Sequence, residues 1–142
     1  MIPALREDGY LPDGVHFAEF DELARRFGTG SPRRVRLLER IRKWVALARV
    51  VGAKRLFVAG SFVTAKHEPA DVDAVVLLPK DFTEQIDRGR FDALELVEIL
   101  TTRRPEEIFA AEDERDWYDW VSFFTKTREP DGRTRGIIEV KL

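Results

Sequence analysis

The segment LFVAGSFVTAKHEPADVDAVVLL, residues 56–78, constrains this chain more than any other. It holds two short apolar runs, 56–59 and 74–78, split by a polar stretch that opens with Gly60-Ser61 and closes with Asp71-Val72-Asp73. Short apolar runs bounded by turn residues read as strands buried on both faces. In a strand, residues i and i+2 point to the same face, about 6.5–7 Å apart. Asp71 and Asp73 are therefore expected to project together from the start of the second strand. Nothing in the packing of so apolar a strand asks for them, and adjacent carboxylates repel unless a cation lies between them. Gly60-Ser61 can offer backbone N–H groups and a hydroxyl to an anion. The segment has the chemistry of a site for a divalent cation and a phosphate. The competing reading is a turn followed by a strand, with Asp71 capping the loop and Asp73 paired with an arginine.

The rest of the chain supplies elements around this pair. Residues 1–30 read as an irregular lead-in punctuated by Pro3, Gly9, Pro12 and Gly14, with one short helix over 17–27. The clearest helix follows: Ser31 caps it, Pro32 takes its first position, and Gly52 stops it. Val35, Leu38, Ile41, Val45 and Ala48 form its apolar stripe. Glu68-Pro69-Ala70 is a loop. Asp81 or Thr83 caps a further helix, and residues 91–100 are apolar at helical spacing. Pro105 is expected to begin another helical region holding Ile108, Phe109, Trp117, Trp120, Val121 and Phe124. Asp131-Gly132 marks a turn, and residues 135–142 read as a final strand. With no repeat or linker, 1–142 is expected to be one compact α/β unit.

Glu139 is the only acid of that final strand. If the strand lies beside Asp71 and Asp73, Glu139 becomes a third carboxylate. Three such ligands suit Mg²⁺ or Mn²⁺, and the third acid can take a proton from an attacking hydroxyl. The plain alternative is an outward polar residue in an alternating strand. Ser61, Thr64 and Lys66 are candidate phosphate contacts, Ser61 doubling as a helix cap and Lys66 equally readable as a solvated charge. His16 and His67 show no metal-ligand spacing. The aromatic group Trp117, Tyr118, Trp120, Phe123 and Phe124 reads as core, with a base stacked on Trp117 or Tyr118 as the other possibility. P-loop, dinucleotide-binding and nucleophile-elbow motifs are absent.

Charge and composition narrow the partners. Residues 25–55 carry eleven Lys/Arg and one acid, and residues 106–119 carry seven acids and one base. A basic stretch next to a phosphate site points to an anionic substrate or RNA, although such runs are commonly solvated helix faces. The two blocks can also pair, within the fold or in a homodimer. The chain lacks cysteine, signal-peptide character and any apolar stretch of membrane-spanning length, so a cytoplasmic protein with no membrane association is expected.

Ala59-Gly60-Ser61, the nine-residue gap, and Asp71-Val72-Asp73 followed by Ala74-Val75 together resemble the signature of the DNA polymerase β-like nucleotidyltransferase superfamily. More loosely, Pro12-Asp13-Gly14-Val15-His16 and Gly136-Ile137-Ile138-Glu139-Val140 resemble small uncharacterised bacterial nucleotidyltransferase-like proteins. The resemblance implies a minimal palm, a short mixed sheet with helices packed against it. It implies that Gly60 and Ser61 hold a nucleoside triphosphate such as ATP and that Asp71 and Asp73 bind Mg²⁺. It also implies a third acid from a later strand, with Glu139 the best match and Glu95 or Glu98 as alternatives. The implied reaction moves a nucleoside monophosphate to a hydroxyl of RNA, protein or a small molecule. Stand-alone minimal members resemble parts of toxin–antitoxin or phage-defence pairs, so a partner chain is implied too. The rival readings are a non-catalytic nucleotide-binding or antitoxin-like partner and a plain RNA-binding module.

Overall fold

The two apolar runs form adjacent antiparallel strands, β2 (Arg55–Ala59) and β3 (Asp73–Leu77), paired from Arg55 opposite Leu77 to Ala59 opposite Asp73. The computed structural model describes residues 1–102 and 107–142. Within them the sheet has five strands in the order β1-β5-β2-β3-β4, where β1 is Val15–Ala18, β4 is Glu107–Ala111 and β5 is Ile137–Val140. β1 runs parallel to β5, β5 antiparallel to β2, and β4 parallel to β3. The architecture is α+β, a mixed sheet with helices packed against it.

Strand alternation sorts the side chains between two cores. Leu56, Val58, Ala74, Val76, Ile108 and Ile138 face α1 (Phe20–Phe27) and α2 (Pro32–Val51). Phe57, Ala59, Val75, Leu77, Ala111 and Ile137 face Trp117 and Phe124 of α5 (Glu114–Phe124). Both faces of β2 and β3 are covered, which is why those strands are apolar without interruption. Two more helices, α3 (Phe82–Asp87) and α4 (Phe91–Thr102), pack on the far end of α2 through Leu47, Val51, Phe82, Ala93 and Leu96.

The α2 boundaries follow from local chemistry. The Ser31 hydroxyl accepts the Arg34 N–H at 3.2 Å, and Gly52 takes the left-handed conformation at φ 77°. Leu38, Ile41, Val45 and Ala48 of the expected stripe are buried, but at its start Val35 is 50% exposed, whereas Arg34 is 6% exposed. Leu37, Leu38, Ile41, Trp44, Val45 and Ala48 set the buried face, and Arg34 falls on it.

Three expectations are corrected. Phe17 belongs to β1, and the helix begins only at Phe20. The lead-in thus contributes an edge strand, held by parallel pairing with β5. Ile108 and Phe109 lie in β4, drawn into the sheet opposite Ala74 and Val75, rather than in the helical region expected to start at Pro105. Pro105 itself lies outside the described residues. The helix that follows β4 starts at Glu114, where the Asp113 carboxylate accepts the Asp116 N–H at 2.8 Å.

Candidate functional site

The chain leaves β2 through Gly60, at φ 85° and ψ −174°, a conformation open essentially to glycine alone. A single 3-10 turn, Ser61–Val63, follows. Gly60 is also crowded. A Cβ there would sit 3.1 Å from each of Asp71 Oδ1, Asp73 N and Asp73 Oδ2. The two carboxylates thus converge on the bare backbone of Gly60.

They reach it from different places. Asp73 opens β3, while Asp71 lies before the strand, in the loop. Asp71 Oδ1 accepts the Ser61 N–H at 2.8 Å and the Ser61 hydroxyl at 2.7 Å. Phe62 N–H donates to the Asp71 carbonyl at 3.1 Å. The loop-capping role for Asp71 is therefore present in the fold. Both donors of Ser61 that were expected to face a phosphate instead point at Asp71.

The segment after Ser61 is held from beneath. The Arg34 guanidinium donates to the carbonyls of Phe27 (3.0 Å), Phe62 (2.7 Å) and Thr64 (2.9 Å), and also to that of Lys66. The Thr64 hydroxyl donates to the Ser61 carbonyl at 2.6 Å and accepts the Lys66 N–H at 3.2 Å. Thr64 is buried and shapes the turn. Lys66 is exposed at its end.

Gly60, Ser61, Thr64, Lys66, Asp71 and Asp73 all line one cleft of about 890 Å³. Its other walls include Tyr10, Phe123, Lys126, Arg128 and Arg135. Arg135 Nη1 donates to the Gly60 carbonyl at 3.2 Å and Nε to the Phe124 carbonyl at 3.4 Å, with the guanidinium 5.7 Å over the Tyr10 ring. Burial lowers the Arg135 pKa, against the pull of Tyr10, Asp71 and Asp73. Burial raises the Asp73 carboxyl to about 7, helped by the charges of Asp71 and Glu107.

Glu139 does not join this group. It pairs with Phe57, two residues along β2 from Ala59, the partner of Asp73. That places it one strand beyond β2 and about 7 Å farther along the sheet. Its carboxylate takes Arg55 Nη2 at 2.7 Å and Nε at 2.9 Å, and Arg55 also reaches Glu114 at 3.3 Å. The expected third carboxylate is thus half of a charge pair at the other end of β2. Glu95 is bound to Lys43 at 2.7 Å on α4, and Glu98 also belongs to α4.

Sequence reasoning missed two neighbours of the acids. Glu107, directly opposite Asp73 in the β3–β4 register, is exposed. Reading 105–124 as helical hid it. Arg135 is the other; it is expected to open the final strand but lies before β5, and nothing in its position points to Gly60. The aromatic assignment also moves. Trp117 is fully buried, edge-on to Phe57 at 5.1 Å, and Tyr118 lies beside Arg55. Phe123, 62% exposed, is the α5 ring left open at the cleft.

The basic run is dispersed rather than massed. Arg33 meets Glu68, Arg42 meets Glu39 and lies over Phe20, and Arg49 caps the Lys141 carbonyl. The Arg55–Glu114 pair joins the basic and acidic blocks within the fold.

Among the described residues no three His, Asp or Glu side chains gather closely enough to hold a metal by themselves. Asp71 and Asp73 could hold a Mg²⁺ ion only with waters or ligand oxygens completing its shell, in a cleft whose walls carry Lys66, Lys126, Arg128 and Arg135 as well as Glu7 and Asp8.

The chain belongs to DUF6932, a family of unknown function, which matches residues 3–141. No curated protein and no solved structure matches it. Among the described residues no helix is long and apolar enough to cross a membrane.

Proposed function

We propose that the cleft binds a magnesium–nucleoside triphosphate and transfers its nucleoside monophosphate to a hydroxyl of RNA, protein or a small molecule. The observation that carries this reading is the convergence of Asp71 Oδ1 and Asp73 Oδ2 on Gly60, where a Cβ would meet both at 3.1 Å. A glycine, two carboxylates and a cleft with Lys66, Lys126, Arg128 and Arg135 on its walls give a triphosphate room, a cation and counter-charge together. In the transfer, the acceptor oxygen bonds to the α-phosphorus, the bridge to the β-phosphate breaks and pyrophosphate leaves. The acceptor proton passes to a neighbouring carboxylate, for which Glu107 replaces Glu139. Bound Mg²⁺ supplies charge stabilisation to the leaving pyrophosphate.

The test is incubation with each α-labelled NTP, Mg²⁺ or Mn²⁺, and cell extract or tRNA. Label should enter an RNA, protein or small-molecule fraction with the wild type and not with Asp71→Asn or Asp73→Asn. No label in any fraction counts against transfer.

A second reading, nucleotide binding without transfer, is favoured by one observation: Glu139 is committed to Arg55 at 2.7 Å. It predicts NTP binding that depends on Asp71 and Asp73, with no label moved.

A further inference from the structure

We propose that Arg135 is the phosphate contact of this cleft, holding the pyrophosphate portion of the nucleotide. The proposal rests on the reading of the cleft as a nucleotide site and names the residue that recognises the phosphate chain. Three features of the structure carry it.

The first is hydrogen-bonding capacity. Arg135 is half-buried. Its Nε and one Nη are engaged with the Phe124 and Gly60 carbonyls. Nη2 takes no hydrogen-bond acceptor among the described residues. A guanidinium has five donors in a fixed planar fork suited to two phosphate oxygens at once. Two contacts to backbone hold this fork rigid and leave one edge for a ligand.

The second is position. The Gly60 carbonyl and the Ser61 N–H are the two ends of one peptide unit. Arg135 holds the carbonyl end at 3.2 Å and Asp71 holds the N–H end at 2.8 Å. The cation and the acid therefore sit on opposite sides of the same peptide. A phosphate chain bridging a metal on Asp71 and Asp73 would extend along this peptide toward the guanidinium.

The third is charge. Asp71, Asp73 and Arg135 line one cleft, with Arg135 and Asp71 bonded to the two ends of one peptide. Arg135 already lies within their field, so a Mg²⁺ arriving alone meets its repulsion, whereas a Mg²⁺ carrying pyrophosphate brings the anion that Arg135 lacks. Lys66, Lys126 and Arg128 line the same cleft, but all three are exposed whereas Arg135 is half-buried, and a lysine's strongly hydrated point charge recognises phosphate with less geometric selectivity than a fixed fork.

Pyrophosphate and bare metal should respond in opposite directions to the loss of Arg135, a pattern that misfolding cannot mimic. Inorganic pyrophosphate with Mg²⁺, and Mn²⁺ alone, are titrated calorimetrically into wild type, Arg135→Met and Arg135→Lys, with thermal melts on each. Arg135→Met should weaken Mg²⁺–pyrophosphate binding at least tenfold while tightening binding of bare Mn²⁺. Arg135→Lys, which keeps the charge and loses the fork, should weaken pyrophosphate by a smaller factor and leave Mn²⁺ unchanged. Equal pyrophosphate affinity in wild type and Arg135→Met overturns the assignment and leaves the nucleotide site standing. A wild type that binds NTP but not pyrophosphate does the same. A wild type that binds neither overturns both. Should Arg135→Met fail to fold, the lysine variant decides: pyrophosphate affinity equal to wild type rejects the fork.

Discussion

Arg55 and Glu139 face each other across β2 and β5 through two N–H···O contacts of 2.7 and 2.9 Å. The guanidinium also lies 4.7 Å over the Trp117 ring, and Glu139 is only 6% exposed. Glu139→Gln removes the charge and one of the two acceptors, so it should cost about 1–3 kcal/mol of stability. Urea denaturation measures the loss. Affinity for Mg²⁺–NTP should stay within about twofold of wild type, since a change confined to the far end of β2 does not touch the cleft. A variant with unchanged stability and no nucleotide binding would return Glu139 to the site.

The acid pair makes stability depend on pH. Asp73 is raised to about 7 from 3.8. Between those values the folded chain holds a proton that the unfolded chain has lost, so its contribution is full below about 4 and falls away as pH rises toward 7. In metal-free protein the melting temperature should therefore carry a declining component over that range, absent in Asp73→Asn. Mg²⁺ needs the ionised carboxylate, so its stabilising effect should grow over the same range and vanish on chelation. A Mg²⁺ effect as large at pH 5 as at pH 8 would contradict the assignment.

Gly60→Ala places a methyl group at φ 85°, 3.1 Å from two carboxylate oxygens and a backbone nitrogen. The backbone conformation alone costs about 1–3 kcal/mol for a residue with a side chain. Chemical denaturation should show at least that loss. Mg²⁺ binding should weaken in the folded fraction, because Asp71 and Asp73 must separate to admit the methyl. A fully stable Gly60→Ala with normal metal affinity would mean the turn is softer than its geometry implies.

Arg34 organises the loop without lining the cleft. Its guanidinium serves four backbone carbonyls from a position 6% exposed. Arg34→Met leaves those carbonyls short of donors and should cost more than about 2 kcal/mol. Arg34→Lys cannot span the same acceptors and should recover only part of it. Hydrogen exchange at Lys66 N–H, donated to Thr64 Oγ1 at 3.2 Å, should accelerate in both variants before any change appears in β3.

Ser61→Ala separates the side-chain and backbone contacts of one residue. The hydroxyl bonds Asp71 Oδ1 at 2.7 Å, and the Ser61 N–H holds the same oxygen at 2.8 Å. Removing the hydroxyl leaves the N–H bond and should cost about 1 kcal/mol. Asp71→Asn retains a carbonyl acceptor for both donors, so the loop should persist while metal affinity falls at least tenfold. Near-native melting with lost Mg²⁺ binding is the expected signature of Asp71→Asn.

The parts of this fold that were legible in the sequence are those set by neighbours in the chain. Ser31, Pro32 and Gly52 bound α2 through their own backbone preferences. The runs around Gly60 and Asp73 read as strands from their length and flanking turn residues, and Asp71 and Asp73 stood out because nothing apolar explains them. Register was not legible. Alternation says which face Glu139 takes but not that Phe57, rather than Ala59, lies beside it, and that two-residue offset separates a ligand from a structural ion pair. β4 was hidden because Ile108-Phe109-Ala110-Ala111 runs into the helical spacing of Trp117, Trp120, Val121 and Phe124. Glu107 became visible only once β4 paired with β3.

Arg135 reaches the Gly60 carbonyl across 75 residues of chain, from just before β5, the strand that inserts between β1 and β2. A chain folded only through β4 would have its Gly-Ser turn and both aspartates, yet it would lack the strand between β1 and β2, and β1 would have no neighbour. The acids would then stand without their nearest fixed cation. The contact that ties Arg135 to the Gly-Ser turn therefore depends on the segment that closes the sheet. An unfinished chain carries the motif without the site.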